Sequence, residues 1–210
     1  MTNKNSVLIS VITRNSIHAQ TVRWLLDQPY PVDIIQSPYT IEHQRNWQVE
    51  RFLDRSEDYL FILDDDTVPK RGTIEELLRF SDEERTILVA PSFGFSSDGQ
   101  HSIIMAYNRE EDGSLFYPVP PVGGILKVDF AGMSGALLPR QVFSDVISPW
   151  FYMPHENGKL KTTEDVYFWD RVYDAGWTLK AHLGLVADHL KLVALSTLPP
   201  KVFDIPATSC

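Results

Sequence analysis

The chain carries a single cysteine, Cys210, at the last of its 210 positions, so no internal disulfide can form and no oxidising compartment is required. Long apolar runs are also missing. The opening MTNKNSVLISVITRN contains only about six consecutive apolar or small residues, too few for a secretory signal or a membrane span. Together these absences lead us to expect a cytoplasmic protein without a transmembrane segment. Positive charge is scarce: 19 Lys and Arg face 28 Asp and Glu, a net charge of −9, and no basic run stands out. A protein that grips nucleic acid through its phosphates needs the opposite balance, so no nucleic acid is expected as a partner. A glycine-rich phosphate loop near the N-terminus is lacking, which argues against a nucleotidyltransferase. Internal repeats and low-complexity tracts are absent.

What is present suits one globular domain. The hydrophobic share of 43% over this length can bury a sizeable core without staples. Val7–Ile12 is a short, β-branched apolar run of the kind found in fully buried strands. Helix-compatible and strand-compatible stretches then alternate. Residues 19–26 read as a helix, 32–35 as a strand, 41–54 as a helix capped by Thr40, 59–63 as a strand, 73–80 as a helix and 87–90 as a strand. This alternation predicts an α/β protein with a mostly parallel sheet flanked by helices. The middle changes character. Residues 102–107 and 115–119 flank the turn signal Asp112-Gly113-Ser114, and 127–130 and 136–138 add extended pieces, which predicts a small antiparallel β element. Thr163 can cap a helix over 164–175 that buries Val166, Trp169, Val172 and Tyr173 and stops at Gly176. Strands over 178–181 and 185–187 lead to Asp188-His189. The domain is expected to span 1–190. The tail 191–210, with Pro199-Pro200, reads as a packing arm or as a linker in a longer multidomain chain.

The chemistry concentrates where the apolar strand Tyr59–Leu63 runs into Asp64-Asp65-Asp66. In open α/β sheets ligands bind beyond the carboxyl ends of strands. Three adjacent carboxylates there repel one another unless a cation or tight hydrogen bonding compensates. A hard divalent cation, Mn²⁺ or Mg²⁺, takes oxygen ligands and shares them with phosphates. The plainer reading is a solvated acidic turn before the next helix.

Leu63-Asp64-Asp65-Asp66-Thr67-Val68-Pro69 resembles the Asp-x-Asp motif of GT-A-fold glycosyltransferases, especially the family 2-like group. The resemblance implies a Rossmann-like GT-A domain, with Asp64 at the nucleotide ribose, Asp66 on the metal and Asp65 assisting either. Asp64 is a second metal candidate. Val7–Asn15 is similar to the family's opening strand, which makes Thr13, Arg14 and Asn15 candidates for the donor nucleotide or, alternatively, simple turn residues. Gln44-Arg45-Asn46 falls where the family places an Arg or Asn beside the nucleotide, and the Arg45 fork suits phosphates. Asp129–Gly135 (DFAGMSG) resembles the loop lining the donor-sugar pocket, so Gly132, Met133, Ser134 and Gly135 become substrate candidates. Thr163-Glu164-Asp165 is similar to the family's Glu-Asp pair. In inverting members one carboxylate of that pair takes the proton from the acceptor hydroxyl, here Asp165 with Glu164 as reserve. Acidic residues in a first helical turn are also ordinary dipole partners. His189 corresponds to a histidine that completes the metal site in many GT-A enzymes, with His182 as a competitor.

The resemblance spans about residues 7–190. It departs at Ile34-Ile35-Gln36-Ser37, which lacks the family's acidic residue after the second strand and leaves the donor base open. Segments 93–121 and 150–161 are the expected acceptor walls, their aromatics suiting either sugar stacking or a hydrophobic core. The reading is a metal-dependent glycosyltransferase moving a sugar from a UDP- or GDP-type donor onto a hydroxyl of a glycan or other acceptor, with inversion. Two rivals stand beside it. Asp64-x-Asp66-x-Val68 also fits a haloacid dehalogenase-type phosphohydrolase, although that motif belongs on a first strand. A non-catalytic nucleotide-binding domain of a larger synthase is the other.

Overall fold

The computed structural model describes residues 5–81, 83–95, 102–109, 115–116 and 124–191. The Asp112-Gly113-Ser114 turn and the tail after Lys191 lie outside the described residues.

The first strand, β1 (Val7–Thr13), is buried along its whole length. Such a run can only lie inside a sheet covered on both faces. Helix α1 (Ala19–Leu26) follows, its Gln20 N–H received by the His18 ring at 3.3 Å. Then come β2 (Val32–Gln36), α2 (Ile41–Leu53) and β3 (Tyr59–Asp64). A two-residue strand, β4 (Thr67–Val68), precedes α3 (Thr73–Arg79) and β5 (Thr86–Val89). The middle of the chain holds β6 (Phe93–Phe95), β7 (Ser102–Ile104), β8 (Ala106–Arg109), β9 (Leu115–Phe116), β10 (Ile125–Val128), β11 (Phe130–Ala131) and β12 (Ala136–Pro139). The last third consists of α4 (Val142–Asp145), the hairpin strands β13 (His155–Glu156) and β14 (Lys159–Leu160), α5 (Glu164–Asp174), β15 (Thr178–His182) and β16 (Asp188–His189).

The central sheet has seven strands in the order β10-β15-β5-β12-β3-β1-β2. Strand β1 is parallel to both β2 and β3, and β15 is parallel to β5. Strand β12 runs antiparallel between β3 and β5, and β10 runs antiparallel at the edge. The expected α/β class with a mostly parallel sheet and small antiparallel additions is what the chain forms. Alternate residues of β1 serve opposite faces. Val7, Ile9 and Val11 pack with Trp24 and Leu25 of α1 and Ile74 and Leu77 of α3. Leu8 joins Val49 and Phe52 of α2 and Phe168, Trp169 and Val172 of α5. Helices therefore cover both sides, as the unbroken apolar strands require.

Because β12 runs against its neighbours, its leading turn lies at the edge where β1, β3 and β5 end. Gly135 makes that turn possible. Its φ is +92°, and a Cβ there would sit 2.1 Å from the Ala90 carbonyl oxygen. Gly135→Ala thus meets both backbone strain and a collision with main chain. We expect a loss of about 3 kcal/mol, read as a Tm fall of roughly 6–12 °C for a chain of this size. An unchanged Tm would show that β5 yields freely.

Local expectations failed in identifiable places. Residues 185–187 form no strand: Leu183–Leu185 is a 3₁₀ turn, and the ladder partner of β4 is Asp188–His189. On α5, Tyr173 is 64% exposed and Phe168 fills the interior instead. Phe168 stacks on Phe151 at 4.6 Å, while Trp169 Nε1 donates to the Ala131 carbonyl at 2.6 Å. These two contacts set the helix's rotation, and they turn Tyr173 outward. Thr40 precedes α2 without a side-chain cap, its hydroxyl being taken by His43 Nδ1 at 2.7 Å. Strand β7 pairs with β6, and it is β8 that pairs with β9. Among the described residues, no helix is long and apolar enough to cross a membrane.

Candidate functional site

The three aspartates leave the carboxyl end of β3 at the ligand-binding edge of the sheet. Each finds a different environment. Asp64 Oδ1 receives a 2.6 Å hydrogen bond from Arg45, whose side chain is only 2% exposed. The Asp64 backbone N–H donates to Ser134 Oγ at 3.0 Å. Asp65 is half-buried. Burial raises its pKa, the Thr13 hydroxyl opposes this, and the neighbouring Asp66 and Asp64 add to the rise. Asp66 receives His189 Nε2 on Oδ1 at 3.1 Å and Lys191 Nζ on Oδ2 at 2.7 Å. Burial works to raise its pKa, but hydrogen bonds from His189 and Lys191 win and hold it at about 2.

Backbone pairing brings Asp66 and His189 together. In the β4–β16 ladder His189 pairs with Thr67, the residue after Asp66, and the Leu190 N–H donates to the Asp66 carbonyl at 2.7 Å. The His189 ring is aimed from behind, because Nδ1 lies 2.8 Å from the Phe93 carbonyl and must donate to it. That leaves Nε2 facing Asp66, donating to it while the ring is protonated and free to take a metal once the ring is neutral. The hydrogen bond to Asp66 raises the His189 pKa, against the opposing effect of burial. No group of three or more His, Cys, Asp or Glu side chains among the described residues is placed to hold a metal unaided. Asp66 and His189 supply two convergent ligand atoms, and any further oxygens would come from a bound ligand or water.

Thr163 caps α5 by accepting the Val166 N–H at 3.5 Å and presents Glu164 and Asp165 in the first turn. Asp165 Oδ2 receives the Met133 N–H at 3.2 Å, while Oδ1 is buried with no hydrogen-bond partner. Burial pushes the Asp165 carboxyl well above the usual carboxylate range, and Glu164 adds to this. Arg45 opposes it but does not cancel it. The Gly132–Ser134 segment therefore ties the two halves together, with Ser134 on Asp64 and Met133 on Asp165.

The open space has two lobes. One, of about 340 Å³, is lined by Ile12, Thr13, Arg14, Gln44 and the three aspartates. The other, of about 380 Å³, is lined by Phe93, Phe95, Met105, Met133 and Asp165 among others. Asp64, His189 and Lys191 line both and mark the divide.

The sequence candidates can now be placed. Thr13, Arg14, Asp64, Asp65, Asp66 and His189 converge on the first lobe; Gly132, Met133, Ser134 and Asp165 converge on the second. Asn15 lines neither, and its carbonyl accepts from Gln36. Gly135 lies beneath the site against Ala90. Arg45 does not reach open space: its fork holds Gln48 at 3.1 Å and Asp64. Glu164, beside Asp165, is buried. His182 lies against Phe80 and near Glu76, away from both lobes. The expected acceptor aromatics divide. Phe93 and Phe95 are exposed in the second lobe, whereas Trp150 and Phe151 are core, held by Asn46, which accepts both their N–H groups. Lys191 escaped the sequence reading, and its signal was only its position two residues beyond His189.

Neither a protein-family model nor a curated protein matches the chain. Solved structures do. A197 from STIV superimposes with a TM-score of 0.69 at 16% identity, over 89% of this chain and 86% of that one. GalNAc-T7, a glycosyltransferase solved with UDP, GalNAc and Mn²⁺, superimposes with a TM-score of 0.63 at 9% identity, over 90% of this chain and 44% of that one. At these identities the likeness establishes architecture alone, and the architecture is GT-A-like.

Proposed function

We propose that this chain is a metal-dependent glycosyltransferase that moves a sugar from a UDP- or GDP-type donor onto a hydroxyl of a glycan acceptor, with inversion. The observation that carries the reading is that Asp64–Asp66 and Asp165 line two adjoining lobes that share Asp64, His189 and Lys191, at the ligand edge of a GT-A-like sheet. Support also comes from GalNAc-T7, whose structure with UDP, GalNAc and Mn²⁺ shares this architecture.

In this reading the nucleoside occupies the lobe of Thr13, Arg14 and Asp65, the diphosphate crosses the divide, and the sugar enters the lobe of Met133 and Asp165. Asp66 and the oriented His189 fit a hard divalent ion that also takes phosphate oxygens. Mn²⁺ or Mg²⁺ bound there would neutralise the diphosphate and stabilise the leaving nucleotide as a Lewis acid. Asp165 accepts the proton of the acceptor hydroxyl. That oxygen forms the new bond to the anomeric carbon from the face opposite the departing phosphate, the old carbon–oxygen bond breaks, and the nucleoside diphosphate leaves with its electron pair. The raised pKa of Asp165 suits this role, since a base works best when its pKa lies near the operating pH.

The test is calorimetric titration with a panel of nucleotide sugars, with and without MnCl₂. The wild-type protein is expected to bind one donor tightly only with metal. Asp66→Ala is expected to weaken that binding at least about 100-fold, more than loss of an outer partner costs. Equal donor affinity in the variant would overturn the metal assignment.

A further inference from the structure

We propose that Lys191 is a ligand for the donor's diphosphate, held in reserve on Asp66 until donor and metal arrive. The inference rests on the donor site described above and adds to it a residue that neither the aspartate motif nor the histidine indicates. Of the three described residues lining both lobes, Asp64 is engaged by Arg45 and His189 faces Asp66. Lys191 is the ammonium at the crossing between lobes, where a diphosphate linking nucleoside to sugar must pass.

Its present partner is informative. Lys191 Nζ lies 2.7 Å from Asp66 Oδ2, while His189 takes Oδ1 of the same carboxylate. A divalent ion on Asp66 and His189 would bring two positive charges against the ammonium, and at such separations like charges repel strongly. Lys191 then loses its reason to stay. Its side chain is 43% exposed, and its four-carbon stem lets the ammonium move several ångströms without moving the backbone. The nearest new anion is the diphosphate itself. The same lysine would thus screen Asp66 in the empty site and grip the phosphates in the loaded one.

The experiment uses the wild-type chain with Lys191→Met and Lys191→Arg. Each is titrated with UDP, UMP, GDP and GMP in the presence of MnCl₂, and with MnCl₂ alone. Lys191→Met is expected to lose about 10- to 100-fold in affinity for the preferred diphosphate, the size of one charge-assisted hydrogen bond, and little for its monophosphate. Lys191→Arg is expected to recover most of that loss. Mn²⁺ alone should bind Lys191→Met as well as wild type or more tightly, because a competing cation has been removed. Diphosphate affinity unchanged in Lys191→Met would overturn the proposal. So would an equal loss for mono- and diphosphate, or weakened binding of Mn²⁺ alone, since either would make Lys191 a prop for Asp66. If wild type binds neither nucleotide under any condition, the donor-site reading itself falls, and Lys191 with it. A shared Tm among the three proteins verifies that the comparison is between folded chains.

Discussion

Asp165→Asn is expected to stop transfer while making the protein more stable. Removing the base should lower turnover about 10²–10⁴-fold, the usual contribution of a positioned proton acceptor. Donor binding should survive, because Asp165 stands on the sugar side and touches none of the three aspartates directly. The stability gain follows from the same burial. One oxygen of Asp165 has no hydrogen-bond partner, and Glu164 sits beside it, so its charged form is disfavoured in the folded state. A carboxyl whose pKa is raised by folding contributes stability that is fully present below its unfolded pKa and is lost as pH rises through the folded one. The amide carries no such loss. Asp165→Asn should therefore match wild type in acid and exceed it increasingly as pH rises, by about 0.5–2 kcal/mol near neutrality. Thermal unfolding across pH, with turnover measured on the same preparations, checks both halves. Wild-type turnover should itself rise with pH as Asp165 loses its proton. A variant that retained near-normal turnover would remove Asp165 from the base role, and one that melted lower at alkaline pH would show that the carboxylate is better accommodated than its surroundings imply.

Arg45→Met is expected to be the most damaging substitution to the site as a whole. The guanidinium is buried and faces Asp64 directly, and burial, which works against its charge, is outweighed by Asp64, Asp165 and Glu164 together. Taking away one partner of a buried pair leaves the other uncompensated, at a cost of about 3–5 kcal/mol. Asp64 keeps 28% of its side-chain surface exposed, which places the expected cost toward the lower figure. Gln48 loses a donor as well, and it is the side chain that holds the Ser10 carbonyl of β1 at 2.7 Å. The readout that separates this from generic destabilisation is the acid limb of the turnover profile. Without the cation, Asp165 should titrate still higher, moving the rise of activity with pH toward alkali. A destabilised variant with an unmoved profile would show that Arg45 supports the fold alone.

Much of the architecture was legible because it is local. Helix α1 over 19–26 and the strands beginning at Val7, Val32 and Tyr59 follow from apolar runs and turn residues that a window of a dozen positions contains. What could not be read depends on distant partners. Nothing near Ala136 shows that β12 inserts antiparallel between β3 and β5, although that insertion carries Met133 and Ser134 to the cleft. The outward turn of Tyr173 depends on Phe151 and Ala131, far away in the chain. Within the site, the aspartates stood out because a charged cluster after a buried strand is conspicuous. Arg45, expected to reach the phosphates, lies buried against Asp64 instead, since sequence does not reveal whether a guanidinium lies above or beneath a carboxylate. Lys191 was missed for the converse reason: an exposed lysine carries no signal until Asp66 is seen beside it.

The two-lobed cleft divides the chain's liability to change. Under the proposed function, the wall facing the nucleoside comes from residues 12–66, and most of the described wall facing the sugar from 92–95, 102–105 and 132–134, with three of the described positions common to both. Substitutions at Met105 or Met133 can reshape the sugar lobe without disturbing Thr13, Arg14 or Asp65. A lineage built on this scaffold is free to drift among sugars while its nucleotide stays the same, and a library confined to those two segments is the shortest route to a new donor preference.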